Sequence, residues 1–166
     1  IKKGTIDFER RPFFVTESWH RARPRTSLRP GDVVIVQTGD IGQCAVVQED
    51  FGEANCHALL IARVNENVAD GEYLATYLQS RFGRHSLLRL ATGALHPHLE
   101  FGIRDAPLLL PPKAEQTKIV RTVRDEKAQL DLSSEVIGRQ INLLTELRQA
   151  LITAAVTGEF GVPGAA

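Results

Sequence analysis

The sequence predicts an α+β protein: a compact head of about 110 residues followed by one long C-terminal helix that enters a coiled coil. Three observations carry this expectation. Short β-branched runs separated by turn residues fill positions 33–64, the pattern of strands. Tyr73, Leu74, Tyr77, Leu78 and Phe82 recur at three- and four-residue spacing, the pattern of a helix with one buried face. Val123, Leu130, Ile137, Leu144 and Leu151 stand seven residues apart, the pattern of a seam running down a single long helix.

Taken in order, residues 5–8 and 13–16 read as short strands, with Phe8, Phe13, Phe14 and Val15 supplying apolar contacts. Thr16 has the hydroxyl needed to cap a short helical turn over Glu17–Arg21. Leu28-Arg29-Pro30-Gly31-Asp32 is a turn: Pro fixes φ, Gly permits a positive φ, and Asp can bond back to the chain. The run Val33–Val36, the glycine-bearing tip Thr38-Gly39-Asp40-Ile41-Gly42 and the run Ala45–Val47 make a hairpin. Ala58–Val64 is a third strand. Asp70 caps the amphipathic helix, and Leu87, Leu88, Leu90 and Ala91 continue into a second helical piece. Ala91–His98 is a loop, Asp105–Leu110 a last strand, and the Gly/Pro/Ala-rich stretch from Glu159 a mobile tail.

The long helix is expected from about Ala114 to Ala155, roughly 42 residues or 63 Å at 1.5 Å per residue. A seven-residue repeat drifts by only about 20° per step, so Ile119, Val120, Ile141 and Leu147 flank the column on the same side. Ordering the backbone costs roughly 1–2 kcal/mol per residue, and each buried aliphatic side chain returns about 1.5–3 kcal/mol. The seam therefore has to be covered, and a partner of similar length does so in a coiled coil. Pro111-Pro112 precedes the helix, Glu115 sets negative charge in its first turn, and Gly158 suits a left-handed cap. Glu126, Ser133 and Gln140 stand three residues after members of the column, where a strong zipper has Leu. They favour a specific partner and register.

The chain has 20 basic and 20 acidic residues, but eight of the basic ones lie in residues 1–29 against three acidic, a net +5 that leaves −5 on the rest. A basic end on an acidic chain points toward nucleic acid. There is no 18-residue apolar run and no secretory signal, so a cytoplasmic protein without a membrane segment is expected. Cys44 and Cys56 have no zinc or CxxC spacing and read as free core thiols. The absence of Met suggests a fragment or processed chain. No P-loop, dinucleotide fingerprint, HExxH or Asn-Pro-Pro-aromatic motif occurs, so no catalytic residue, metal or cofactor is assigned. His96, His98 and Glu100 alternate as ligands on one strand face would, but Pro97 interrupts such a strand.

Several stretches, in order, resemble the specificity (S) subunit of type I restriction–modification systems. Leu28-Arg29-Pro30-Gly31-Asp32-Val33-Val34 resembles the family's turn into its first core strand, and Thr38-Gly39-Asp40-Ile41-Gly42 its hairpin tip. Thr92-Gly93 resembles the start of its variable loop. Leu110-Pro111-Pro112-Lys113-Ala114-Glu115-Gln116 with Ile119 resembles its approach to the conserved helix. Leu147-Arg148-Gln149-Ala150-Leu151-Ile152 with Ala155-Val156-Thr157-Gly158 resembles that helix's end. The resemblance implies a target-recognition domain over residues 1–111, lacking its N-terminal part, a conserved coiled-coil helix over 112–158 and a flexible tail over 159–166. A full family member has two such domains and two such helices. Thr and Gln often follow the family's Thr-Gly, where this chain has Ala94-Leu95-His96-Pro97-His98.

The implied function is non-catalytic: the head reads half of a bipartite double-stranded DNA target, and the helix pairs antiparallel with a second one as a ruler. Methylation (M) subunits carrying S-adenosylmethionine, and a restriction (R) subunit, are the implied partners. Phosphate contacts need Lys and Arg, for which Arg10, Arg11, Arg21, Arg23 and Arg25 are the candidates. Base edges need polar side chains on loop tips, for which Thr38, Asp40, Thr92, His96 and His98 are the candidates. In a half-length chain the column Val123, Leu130, Ile137, Leu144 and Leu151 has a second copy as its available partner, giving a dimer. The competing readings are a coiled-coil oligomerisation module with a protein-binding head and, third, a metal-dependent enzyme using the histidines.

Overall fold

The computed structural model describes residues 1, 4–6, 13–93, 95, 97–159 and 161. Contacts divide the chain into two units, Ile1–Arg121 and Thr122–Ala166. The class is α+β. Helix α1 (Glu17–Arg21) precedes strands β1 (Val33–Val36), β2 (Cys44–Val46) and β3 (Leu59–Ala62). Then come α2 (Gly71–Gln79), α3 (Arg81–Arg89) and the long α4 (Lys113–Thr157).

The sheet is antiparallel with order β2–β1–β3. β1 is central, pairing Val33 with Val46 and Ala62, and Ile35 with Cys44 and Leu60. Its side chains alternate between faces, so Val33 and Ile35 enter one core with Cys44, Tyr73, Tyr77, Leu78, Leu87 and Leu99. Val34 points the other way, into a smaller cluster with Ala45 and Val47. A strand buried on both faces has no polar side, which is why Val33–Val36 reads as a continuous β-branched run.

Asp70 caps α2 by accepting the Glu72 N–H at 2.8 Å. Ser80 ends α2 and caps α3, accepting the Gly83 N–H at 3.1 Å. The elbow between them requires glycine at 83: a Cβ there would stand 2.1 Å from the Tyr77 carbonyl oxygen. Leu87 anchors α3 in the core with no exposed surface, while Phe82 packs edge-on to Tyr77 with ring centroids 6.2 Å apart and stays half exposed.

Two expectations are corrected, and a third lies partly outside the described residues. Residues 13–16 form no strand: Phe13 is 96% exposed, and Thr16 ends the segment as the α1 cap. In the first expected strand Thr5 makes one bridge, and residues 7 and 8 lie outside the described residues. Asp105–Leu110 is not a strand either. A 3-10 turn occupies Phe101–Asp105, and an extended stretch without ladder pairing follows. Pro107, Pro111 and Pro112 cannot donate to a ladder. Two side chains satisfy carbonyls of this stretch: Tyr77 donates to Pro107 at 2.8 Å and Tyr73 to Leu109 at 2.6 Å.

α4 has 45 residues, so it is about 68 Å long. Its first turns are anchored by Gln116, which is fully buried. Gln116 Oε1 accepts the Asp70 N–H at 3.0 Å, and Nε2 donates to the carbonyls of Val68 (3.0 Å) and Pro111 (2.8 Å). Beyond Thr122 every member of the seven-spaced column is exposed in the single chain, and Gly158 follows the helix with φ +81°. Most of the expected tail, 160 and 162–166, lies outside the described residues.

Candidate nucleic-acid interface

Among the described residues, the polar and basic ones singled out in the sequence fall into two groups in the first unit. One is built on α1. Thr16 caps it, accepting the Trp19 N–H at 3.3 Å. The Arg23 guanidinium lies over the Trp19 ring, 3.9 Å from its centroid, and donates to the Trp19 carbonyl at 3.3 Å. Arg21 pairs with Glu17 one turn back, and Arg25 is exposed with no ion pair among the described residues. Asn55 ties this segment down: its Nδ2 donates to the Arg23 carbonyl (3.2 Å) and to Thr26 Oγ1 (2.9 Å), and its Oδ1 lies 2.6 Å from His20 Nδ1. Backbone bonds Leu28 N–H to Ala54 O and Cys56 N–H to Thr26 O complete the attachment. The arginines thus rise from a fixed segment rather than a loose arm. Arg10 and Arg11 lie outside the described residues.

The other group joins loop tips far apart in sequence. His98 makes isolated bridges to both Thr38 and Thr92. Thr92 N–H donates to His98 O (2.9 Å), His98 N–H to Thr92 O (2.8 Å) and Leu99 N–H to Gln37 O (2.8 Å). Leu99 is fully buried and holds the loop against the hairpin. Thr38 Oγ1 and His98 Nδ1 share a 2.6 Å hydrogen bond whose donor depends on the imidazole tautomer. Asp40, on the same hairpin tip, accepts from Arg84 at 2.7 Å through one carboxylate oxygen and from Gln43 through the other. Thr38, Thr92 and His98 therefore converge, Asp40 stands on the same hairpin tip, and His96 lies outside the described residues.

Arg84 exposes what the sequence reading missed. α3 carries Arg81, Arg84, His85 and Arg89 on its exposed surface and has no acidic residue. Counting charge over residues 1–29 hid it, whereas counting over single helices would have found it.

Neither thiol suits nucleophilic chemistry. Burial pushes Cys44 up to about 11, partly offset by the Gln79 side chain, and burial also raises Cys56. Among the described residues no three metal-binding side chains come together, and no helix is long and apolar enough to cross a membrane.

An α+β head with converging polar loop tips and exposed arginines, followed by a long helix with an exposed apolar column, defines the class. A solved chain with a similar fold is the HsdS subunit from Thermoanaerobacter tengcongensis, with a TM-score of 0.55 and 26% identity. The match covers 84% of this chain, which spans 36% of that subunit. No protein-family model matches the sequence, and no curated protein does.

Proposed function

We propose that this chain is the DNA-recognition part of a type I restriction–modification specificity subunit, reading one half of a bipartite target. The observation that carries this reading is the convergence of Thr38, Thr92 and His98 on loop tips, within a fold similar to an HsdS subunit. Threonine hydroxyls and imidazole nitrogens can donate to and accept from base edges. Arg21, Arg23 and Arg25 supply phosphate contacts, which position the protein without reading sequence. The head does no chemistry. Methylation subunits hold S-adenosylmethionine and transfer its methyl group to adenine in the cytoplasm, and a restriction subunit joins them for cleavage. The exposed column of α4 pairs with a second helix, here from a second copy, and sets the gap in the target.

Arg21, Arg23 and Arg25 changed together to Ala should weaken duplex binding for all sequences alike. The slope of log K against log salt should fall by roughly 0.9 for each phosphate that is no longer neutralised. Fluorescence anisotropy over a salt series reads both quantities. Weaker binding to one sequence only would make these residues base readers, and an unchanged slope would remove them from the interface. Methylome mapping with and without the chain then identifies the bipartite target.

One observation favours the runner-up, a coiled-coil module with a protein-binding head. A groove of about 790 Å³ beside β3 is lined by Leu60, Leu74, Leu78, Ile103 and Leu108. Duplex binding that is absent at low salt would favour that reading.

A further inference from the structure

We infer that α3 is a second phosphate-contacting element, a short helix that crosses the major groove beside the converging loop tips. This inference rests on the DNA reading and adds residues to it.

The exposed surface of α3 is basic along its length. Successive residues turn by about 100°, so Arg84, Leu88, Arg81, His85 and Arg89 span an arc of about 140°. Gly83 and Leu87 occupy the opposite, buried side. Arg84 is neutralised by Asp40, whereas Arg81 and Arg89 have no ion pair among the described residues. With no acid on the helix, Arg81 and Arg89 leave two positive charges without a counter-charge among the described residues, and a polyanion supplies one.

The spacing favours duplex DNA among polyanions. Arg81 and Arg89 are eight residues apart, about 12 Å along the helix axis. The major groove of B-DNA is also about 12 Å wide. A helix lying across it would bring one arginine to the phosphates of each strand. Arg84 bonds to the hairpin tip that carries Thr38, and α3 ends three residues before Thr92, so both contacts of His98 adjoin this helix. The glycine elbow and the buried Leu87 fix α3 against α2, so the cations are held in place before DNA arrives.

The test uses the 166-residue chain, a mixed-sequence DNA duplex and anisotropy over a salt series. Arg81→Ala with Arg89→Ala should bind several-fold more weakly, and the slope of log K against log salt should fall by roughly 1.8, the value for two phosphates. Arg81→Lys with Arg89→Lys keeps both point charges and should keep the slope. Circular dichroism should show unchanged helix content, because both side chains are exposed. If the alanine pair loses helix, Arg81→Gln with Arg89→Gln removes charge with less loss of side-chain length and should give the same slope change. An unchanged slope in these variants, with a lowered slope in the Arg21, Arg23 and Arg25 variant, overturns the role of α3 and leaves the DNA reading standing. A wild type with no salt-dependent duplex binding overturns both. Equal effects on a double-stranded RNA overturn the groove-crossing assignment, since the A-form major groove is too deep and narrow to be read this way.

Discussion

Ile137→Asp should convert the protein from a dimer to a monomer while the head stays folded. Ile137 is the central member of the seven-spaced column and is 54% exposed in the single chain. Paired antiparallel with a second copy, it would lie closest to its own counterpart and be the most fully covered. An aspartate there would bury two carboxylates against each other without a partner, at a cost on the order of several kcal/mol per chain. The head should not respond, because its core lies within residues 1–121 and takes from α4 only Val120 and Ile119, more than four turns before Ile137. Light scattering should give half the wild-type mass. Circular dichroism should retain the sheet and the short helices, with any loss confined to the helix. A wild type that is monomeric at high protein concentration with its helix intact would refute self-pairing. The column would then be covered by a different helix, from another subunit.

Asp32→Ala should destabilise the head strongly. Asp32 is 2% exposed, and its carboxylate closes three hydrogen bonds. Arg63 donates Nε to one oxygen and a terminal amino group to the other, both at 2.7 Å, and the Arg29 N–H donates at 2.8 Å. The same Arg63 amino group also reaches the Ser27 carbonyl at 3.2 Å. One side chain therefore ties the turn before β1 to the end of β3. This hydrogen bonding raises the Arg63 pKa above its ordinary value, with burial opposing it. Removing one partner of a buried pair costs about 3–5 kcal/mol. The Arg63 side chain keeps access to water, which lowers the expectation to roughly 2–4 kcal/mol. Urea unfolding near neutral pH should show this as a lower midpoint with an unchanged slope. Arg63→Met added to Asp32→Ala should recover part of the loss, because no guanidinium is then left without its carboxylate. A midpoint equal to wild type in the single variant would show that the pair contributes nothing to stability.

The elements legible in the sequence were those set by neighbours along the chain. Thr16, Asp70 and Pro111-Pro112 mark helix starts because capping and proline geometry act over a few residues. The column from Val123 to Leu151 marks one long helix because its period is a property of the helix itself. The hairpin Val33–Val46 was legible because its glycine-bearing tip and β-branched arms are contiguous. The expected strand at Asp105–Leu110 failed for the complementary reason. A strand also needs a free edge to pair with, and apolar composition does not show whether one is available. Tyr73 and Tyr77, more than 29 residues away, took up carbonyls of that stretch instead.

The sequence by itself determined the α+β class, the long helix and the stock of polar and basic side chains, because propensity, capping and periodicity are local. Only the tertiary structure decided which of those residues stand together. The hydrogen bond between Thr38 and His98 spans 60 positions, and the ion pair between Asp40 and Arg84 spans 44. The burial of Gln116 depends on Val68 and Asp70, which lie more than 45 positions before it. Such contacts form only when the core brings distant segments together, since polar side chains gain little from meeting in water and much from being satisfied once buried.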